Sequence, residues 1–145
     1  QMFEAVRDRL AGCDAAIFAA AVADYRPVSV SEQKIKKTGE RLVLELERTE
    51  DILGSARSVF GFRGVLAGFA AESEKLVEHA REKLERKGCD VIIANDITQP
   101  GIGFDSAENA VTLCLPGGRT KSLPRQPKTQ LARALLAEIL TLKTS

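Results

Sequence analysis

Apolar positions along the chain repeat with two different periods, and the alternation between those periods predicts a layered α/β architecture. Phe3, Val6 and Leu10 fall on one face at helical spacing, and Gly12 is placed to close the helix, so residues 1–12 are read as helical. An apolar strand over 15–22 follows directly, and its continuous apolar stretch 17–22 suits a strand buried on both faces. Leu42, Leu44 and Leu46 instead alternate with Val43, Glu45 and Glu47, the pattern of a strand with one wet face that leaves the main sheet. That pattern fits a flap formed with the neighbouring loop, a strand pairing with a second subunit, or an ordinary edge strand.

The second half repeats the alternation. Residues 51–60 read as a short helix, 64–69 as a buried strand, and 73–87 as a helix with Leu76, Val77, Ala80 and Leu84 inward and Gly88 as a left-handed cap. Residues 90–94 supply another apolar strand. A hairpin over 110–123 turns at Pro116, Gly117 and Gly118, and a last helix over 129–140 points Leu131, Leu135 and Ile139 inward. The order predicts a three-layer, Rossmann-like fold with a mostly parallel sheet, an added amphipathic strand or flap and a C-terminal hairpin, in one domain spanning 1–145.

Composition narrows the function classes. With 21 basic against 20 acidic residues, the formal net charge is +1, without the basic stripe that nucleic acid or a membrane surface requires. The 145 residues bury roughly 68 to 70% of their unfolded surface by size scaling, enough for one core without metal or disulfide staples. Cys13, Cys89 and Cys114 are odd in number and lack metal-ligand spacing, and His79 is the only histidine. Zinc and Ser/His/Asp chemistry are therefore not expected, no metal ligands are assigned, and the cysteines are read as buried reduced thiols. No apolar stretch has membrane-span length, and the expected location is cytoplasmic.

The candidate chemistry starts at the end of the first strand, where Asp24, Tyr25 and Arg26 are expected to emerge at the edge on which open parallel sheets bind ligands, with Pro27 ending the strand. If 34–36 is extended, Lys34 and Lys36 share a side and converge on phosphate oxygens. A solvated basic loop is the favoured reading on residue type alone. Glu72, Asn95 and Asp96 also sit at expected strand ends, where such residues equally serve as caps and turns. Lys83 and Lys87 lie one turn apart on a helix face; helix-surface lysines are most often simply solvated.

The string AAAVADYRP followed by KIKK resembles the phosphopantothenate-cysteine ligase family. Asp51-Ile52-Leu53, Gly68-Phe69-Ala70-Ala71-Glu72, Ala94-Asn95-Asp96-Ile97, and Gly103-Phe104-Asp105-Ser106 with Asn109 follow in the family's order, so the resemblance runs from about Ala16 to Leu140. It implies that a nucleoside triphosphate, CTP in preference to ATP, activates the carboxylate of 4'-phosphopantothenate as an acyl-nucleotide. The cysteine amine then attacks, with Mg²⁺ and lysines neutralising phosphate charge and no protein nucleophile. Position by position, it implies nucleotide contacts at Phe18, Ala19, Ala20, Asp24 and Lys34, through the backbone of Glu50, Asp51, Ile52 and Leu53, and at Phe69, Lys83 and Lys87. Lys34 is the first candidate for the catalytic charge-stabilising role, with Lys37 and Arg26 behind it, and Asp24 serves the nucleotide or its metal.

The resemblance further implies a homodimer and a fused flavin-dependent decarboxylase domain that carries the FMN, the present chain corresponding to the C-terminal part of the ligase. The family's glycine-rich strand-turn-helix and its asparagine acting on the intermediate are not found ahead of the first helix. A smaller departure is Thr49-Glu50-Asp51-Ile52, where the family shows Asn-Pro-Asp-Ile, so a rigid proline is replaced by a charge. Two other classes stand beside the ligase. One is a non-catalytic nucleotide-binding or dimerisation fragment; the other, a dinucleotide-binding oxidoreductase, ranks last because no G-x-G-x-x-G follows a strand.

Overall fold

The computed structural model describes residues 1–36, 39–98 and 106–144. The chain divides into two compact units, Gln1–Ala19 with Ile52–Ser145, and Ala20–Asp51. In the larger unit, α1 (Met2–Leu10), β1 (Ala15–Phe18), α2 (Ile52–Ser58), β4 (Val65–Glu72), α3 (Leu76–Lys87), β5 (Val91–Asp96), β6 (Glu108–Cys114), β7 (Thr120–Pro127) and α4 (Lys128–Thr141) build a five-stranded sheet of order β1-β4-β5-β6-β7. β1, β4 and β5 are parallel, and the β6–β7 hairpin is added antiparallel.

Strand periodicity sorts the core into two layers. Leu66, Ala70, Ile92, Ala94 and Cys114 face Leu10 of α1, Ala56 of α2, and Ala80 and Leu84 of α3. The alternating residues Val65, Ala67, Val91, Ile93, Val111 and Leu113 face Leu131, Leu135 and Ile139 of α4. These are the inward residues and the three-layer arrangement that the periodicity predicts. Gly88 closes α3 with φ 62°, its N–H reaching back to the helix carbonyls, as its lack of a Cβ permits.

The amino ends of β4 and β5 are tied by one carboxylate. Asp90 Oδ2 accepts from the Leu66 N–H at 2.7 Å and from Arg57 Nη2 at 2.6 Å, while the Asp90 N–H donates to the Leu66 carbonyl at 2.9 Å. Arg57 also donates to the Gly88 and Phe62 carbonyls, and its guanidinium stacks over the Phe62 ring at 5.6 Å. Nearby, the Val65 N–H donates to the Asp14 carbonyl, and a Cβ on Gly64 would overlap that same carbonyl, so the approach of β1 to β4 requires glycine there.

Three expectations are corrected. β1 ends at Phe18 rather than extending to residue 22, and it pairs only with β4 at the end of the strand order, so Ile17 is 40% exposed instead of buried on both faces. Tyr25, Arg26 and Pro27 do not end that strand. They form β2 (Tyr25–Pro27), which pairs antiparallel with β3 (Leu46–Arg48) in the smaller unit; a two-stranded ribbon has an unpaired outer edge on which proline's missing N–H costs nothing. The alternating 42–46 segment has no dry face, because Leu42, Val43, Leu44 and Leu46 are all exposed and only Leu46 lies within β3.

Replacing Asp90 by Ala strips the Leu66 N–H and Arg57 of a shared acceptor and is expected to lower unfolding free energy by about 1 to 3 kcal/mol, the half-exposed setting keeping it below the fully buried case. Asp90→Asn keeps an oxygen for the N–H and loses only the charge, so its urea midpoint should fall between wild type and Asp90→Ala. A midpoint for Asp90→Ala equal to wild type would refute the tie.

Candidate functional site

The carboxyl ends of β4 and β5 lie side by side, with Ala71 opposite Asn95 and Glu72 opposite Asp96, so the polar residues that close these strands gather on one edge. This is the edge on which open parallel sheets present ligand-binding groups. α3 runs back from it and brings its side chains along β4. Lys83 Nζ donates to the Phe69 carbonyl at 2.7 Å, and His79 Nδ1 lies 3.1 Å from Glu72 Oε2. Glu72, His79, Glu82, Lys83 and Arg86 line a cavity of about 330 Å³.

Lys83 and Phe69, two of the sequence-derived nucleotide positions, thus meet directly, although the Phe69 ring packs on the α4 side with the second core layer. Phe18 and Leu53 pack against the first layer, and Ile52 is buried in the core. Leu53 abuts Gly68, where a Cβ would come within 2.8 Å of Leu53 Cδ2 and 3.0 Å of Ile92 Cδ1, so glycine lets the start of α2 approach β4. Because the Ile52 and Leu53 side chains are committed to packing, a ligand contact at 50–53 falls to backbone groups and to Glu50 and Asp51, both exposed. Ala19 is exposed beyond the end of β1, and Lys87 is half-buried on α3.

The smaller unit carries the other candidates. The Thr49 N–H donates to the Asp24 carbonyl at 2.9 Å, the Thr49 hydroxyl donates to the Ala23 carbonyl, and Arg26 Nε pairs with Glu47 Oε1 at 2.8 Å across the ribbon. Arg26 is therefore engaged by a carboxylate. Ala20, Asp24 and Lys34 are exposed; residues 34–36 lie outside any strand and all three are exposed, so the alternation imagined for Lys34 and Lys36 is not imposed by a ladder. Lys37 and the Gly103-Phe104-Asp105 part of the motif lie outside the described residues.

Two features of the site escaped the sequence reading. His79 stood out only as a lone histidine, yet its place one turn into α3 brings it back to the strand-end Glu72, a pairing legible in the helix-after-strand order. Asn95 Oδ1 is buried without a hydrogen-bond partner among the described residues, which no sequence pattern announces. Cys89 is buried as expected, and burial, reinforced by the Asp90 charge, pushes its thiol up to about 11 against the opposing effects of Lys83, Arg57 and Lys87. Cys114 is buried and shifted upward by the same desolvation. Cys13 corrects the expectation: it is exposed, its thiol donating to the Arg9 carbonyl just past the end of α1. Among the described residues no three His, Cys, Asp or Glu side chains form a group fit for a metal ion, and no helix is long and apolar enough to cross a membrane.

Residues 1–142 match the family model of the DNA/pantothenate metabolism flavoprotein C-terminal domain. The chain is 40% identical over 144 residues to the coenzyme A biosynthesis bifunctional protein CoaBC of Vibrio vulnificus (strain YJ016), covering 98% of this chain and 36% of that protein. It is 42% identical over 125 residues to the CoaBC protein of Escherichia coli (strain K12), covering 84% of this chain and 30% of that one. The crystal structure of the C-terminal domain of a CoaBC protein superposes with a TM-score of 0.76 at 34% identity, over 99% of this chain and 62% of that one. The chain thus spans about a third of the length of the curated relatives it matches.

The buried Cys89 thiol gives a pH signature. Folded Cys89 keeps its proton at pH values where an unfolded thiol, at its ordinary 9.0, has released it, so the folded state binds more protons in that interval and raising the pH favours unfolding. Urea midpoints measured from pH 8 upward are expected to fall as the pH rises from 9.0 through about 11 more steeply in wild type than in Cys89→Ala. Parallel curves for the two proteins would contradict the shift.

Proposed function

We propose, from the premise that the chain belongs to the DNA/pantothenate metabolism flavoprotein C-terminal domain family, that it is the nucleotide-binding part of a ligase joining 4'-phosphopantothenate to cysteine in coenzyme A biosynthesis. The observation that carries the reading is the edge of β4. There Lys83 is anchored on the Phe69 carbonyl, inside a segment whose family match is nearly end to end. On this reading a nucleoside triphosphate, CTP in preference to ATP, reacts with the substrate carboxylate; its α-phosphorus forms a bond to the carboxylate oxygen and pyrophosphate departs. The cysteine amine then attacks the acyl carbon, the nucleoside monophosphate leaves, and an amide results.

The protein's contribution is placement and charge. Lys34 is assigned to the developing phosphate charge, Lys83 and Lys87 to the bound nucleotide, and the 50–53 backbone to its orientation, with Phe18, Ala19, Ala20 and Phe69 as neighbouring contacts. Mg²⁺ fits as an ion that arrives on the triphosphate: the described residues build no metal cage, and Asp24 offers the single carboxylate that such an ion commonly takes from a protein. When bound, it neutralises charge on the phosphate oxygens. Homodimerisation, a fused FMN-bearing decarboxylase domain and a cytoplasmic setting complete the proposal for the longer protein. A second reading is a nucleotide-binding or dimerisation module that does not itself turn over.

Calorimetric titration with CTP and Mg²⁺, with ATP as comparison, should give saturable binding that prefers CTP, and Lys34→Gln should weaken it or slow turnover by about 10- to 100-fold without loss of fold. Formation of phosphopantothenoylcysteine separates the two readings, since binding without product selects the module. Equal affinity and turnover in wild type and Lys34→Gln would remove Lys34 from the mechanism.

A further inference from the structure

The carboxylate at the end of β4 is half used. Its Oε2 lies 3.1 Å from His79 Nδ1, and in the tautomer that donates from Nδ1 the imidazole fixes the carboxylate's orientation. Oε1 makes no hydrogen bond among the described residues, and Glu72 and His79 line the same cavity as Glu82, Lys83 and Arg86. The Glu72 side chain is only 28% exposed, so the acceptor it offers is partly shielded from competing water.

The composition of that lining selects a class of ligand. A bare phosphate entering the cavity would meet two carboxylates, and a metal ion would meet an ammonium and a guanidinium. A molecule with both hydroxyls and a phosphate satisfies the whole set, its hydroxyls donating to a carboxylate and its phosphate oxygens accepting from Lys83 and Arg86. An acid at the carboxyl edge of a parallel sheet is also the group that dinucleotide-binding folds set against ribose hydroxyls. The cavity, at about 330 Å³, has room for a ribose with one phosphate.

We propose that Glu72 reads the ribose hydroxyls of the bound ribonucleotide, with His79 as its positioning residue and Arg86 joining Lys83 on the phosphate side. This rests on the nucleotide reading given above and deepens it by naming the part of the nucleotide that this edge of the sheet recognises. His79 acts through the carboxylate and touches no reacting atom.

The test deletes the hydroxyls on the ligand before altering the protein. Calorimetric titrations of the chain with CTP, 2′-deoxy-CTP and 3′-deoxy-CTP, each with Mg²⁺, should show the wild type preferring CTP over at least one deoxy analogue by about 10-fold or more, the scale of a hydrogen bond to a charged acceptor. Glu72→Gln should reduce that preference to within about 3-fold while deoxy-CTP affinity changes little. His79→Phe should erode it in the same direction, and His79→Asn, whose amide N–H can stand in for Nδ1–H, should restore it. A merely structural role would weaken CTP and its deoxy analogues equally. Binding of CTP and both deoxy analogues with equal affinity would overturn this proposal and leave the nucleotide reading standing. Absence of binding by both CTP and ATP would overturn the nucleotide reading itself, and this proposal with it.

Discussion

The parallel edge of this fold depends on a single carboxylate placed at its opposite end. Asp90 takes both backbone groups of Leu66, one through its own N–H and one through its side chain, and holds Arg57 of α2 with the remaining reach of that same oxygen. Register in a sheet is all or nothing, because a slip of one residue turns every side chain to the other face. Fixing Leu66 against Asp90 therefore also fixes Ala70 opposite Ala94 and Glu72 opposite Asp96 several residues on. The site's geometry is set where no ligand contact is assigned, at the amino ends of the strands. Arg57 extends the tie to the Gly88 carbonyl just past the end of α3, so the helix bearing His79 and Lys83 is referenced to the same point.

What the sequence discloses follows from how strongly burial constrains each segment. β4, β5 and α4 are legible because both their partners and their spacing leave one solution: Val91, Ile92 and Ile93 are essentially inaccessible, and Leu131, Leu135 and Ile139 fall on one helical face. The 20–51 unit is not legible in the same way. Its apolar residues, among them Val30 at 85% and Val43 at 89% exposure, are not committed to a core, so their alternation carries no information about which way they face. Its ribbon is defined instead by cross-strand pairs such as Arg26 with Glu47, and by Thr49 reaching Ala23 and Asp24, interactions between residues more than twenty positions apart that no local period reports. The same reasoning explains β1: its apolar run looks like a central strand, but a residue's neighbours across a sheet are a property of strand order, which periodicity does not contain.

The candidate site divides along the same line. Glu72, Lys83 and Phe69 were visible as residues, and the first two as charges at plausible positions, but their mutual contacts come from α3 folding back along β4. Phe69 illustrates the limit: its side chain serves the α4 core layer while its carbonyl serves Lys83, so one residue belongs to the packing and to the site through different atoms. Glu50 tests the reverse case. It is exposed, so no packing fixes its side chain, whereas the nearby Ile52 and Leu53 are held by the core.

On the proposed reading Lys83 serves phosphate, and a lysine in that role must be held in place without being neutralised. Lys83 is anchored by a carbonyl, which takes one of its three donors and leaves the full positive charge and two donors available; a carboxylate in the same place would have cancelled the charge. The strand-end carboxylate Glu72 is paired instead with His79. The strand end thus keeps an acceptor and a cation on one cavity lining, Glu72 held by the imidazole and Lys83 by a carbonyl. That division of partners explains why a short motif at the end of one strand needs a helix behind it, and why its residues acquire meaning only once the register that aligns them is fixed.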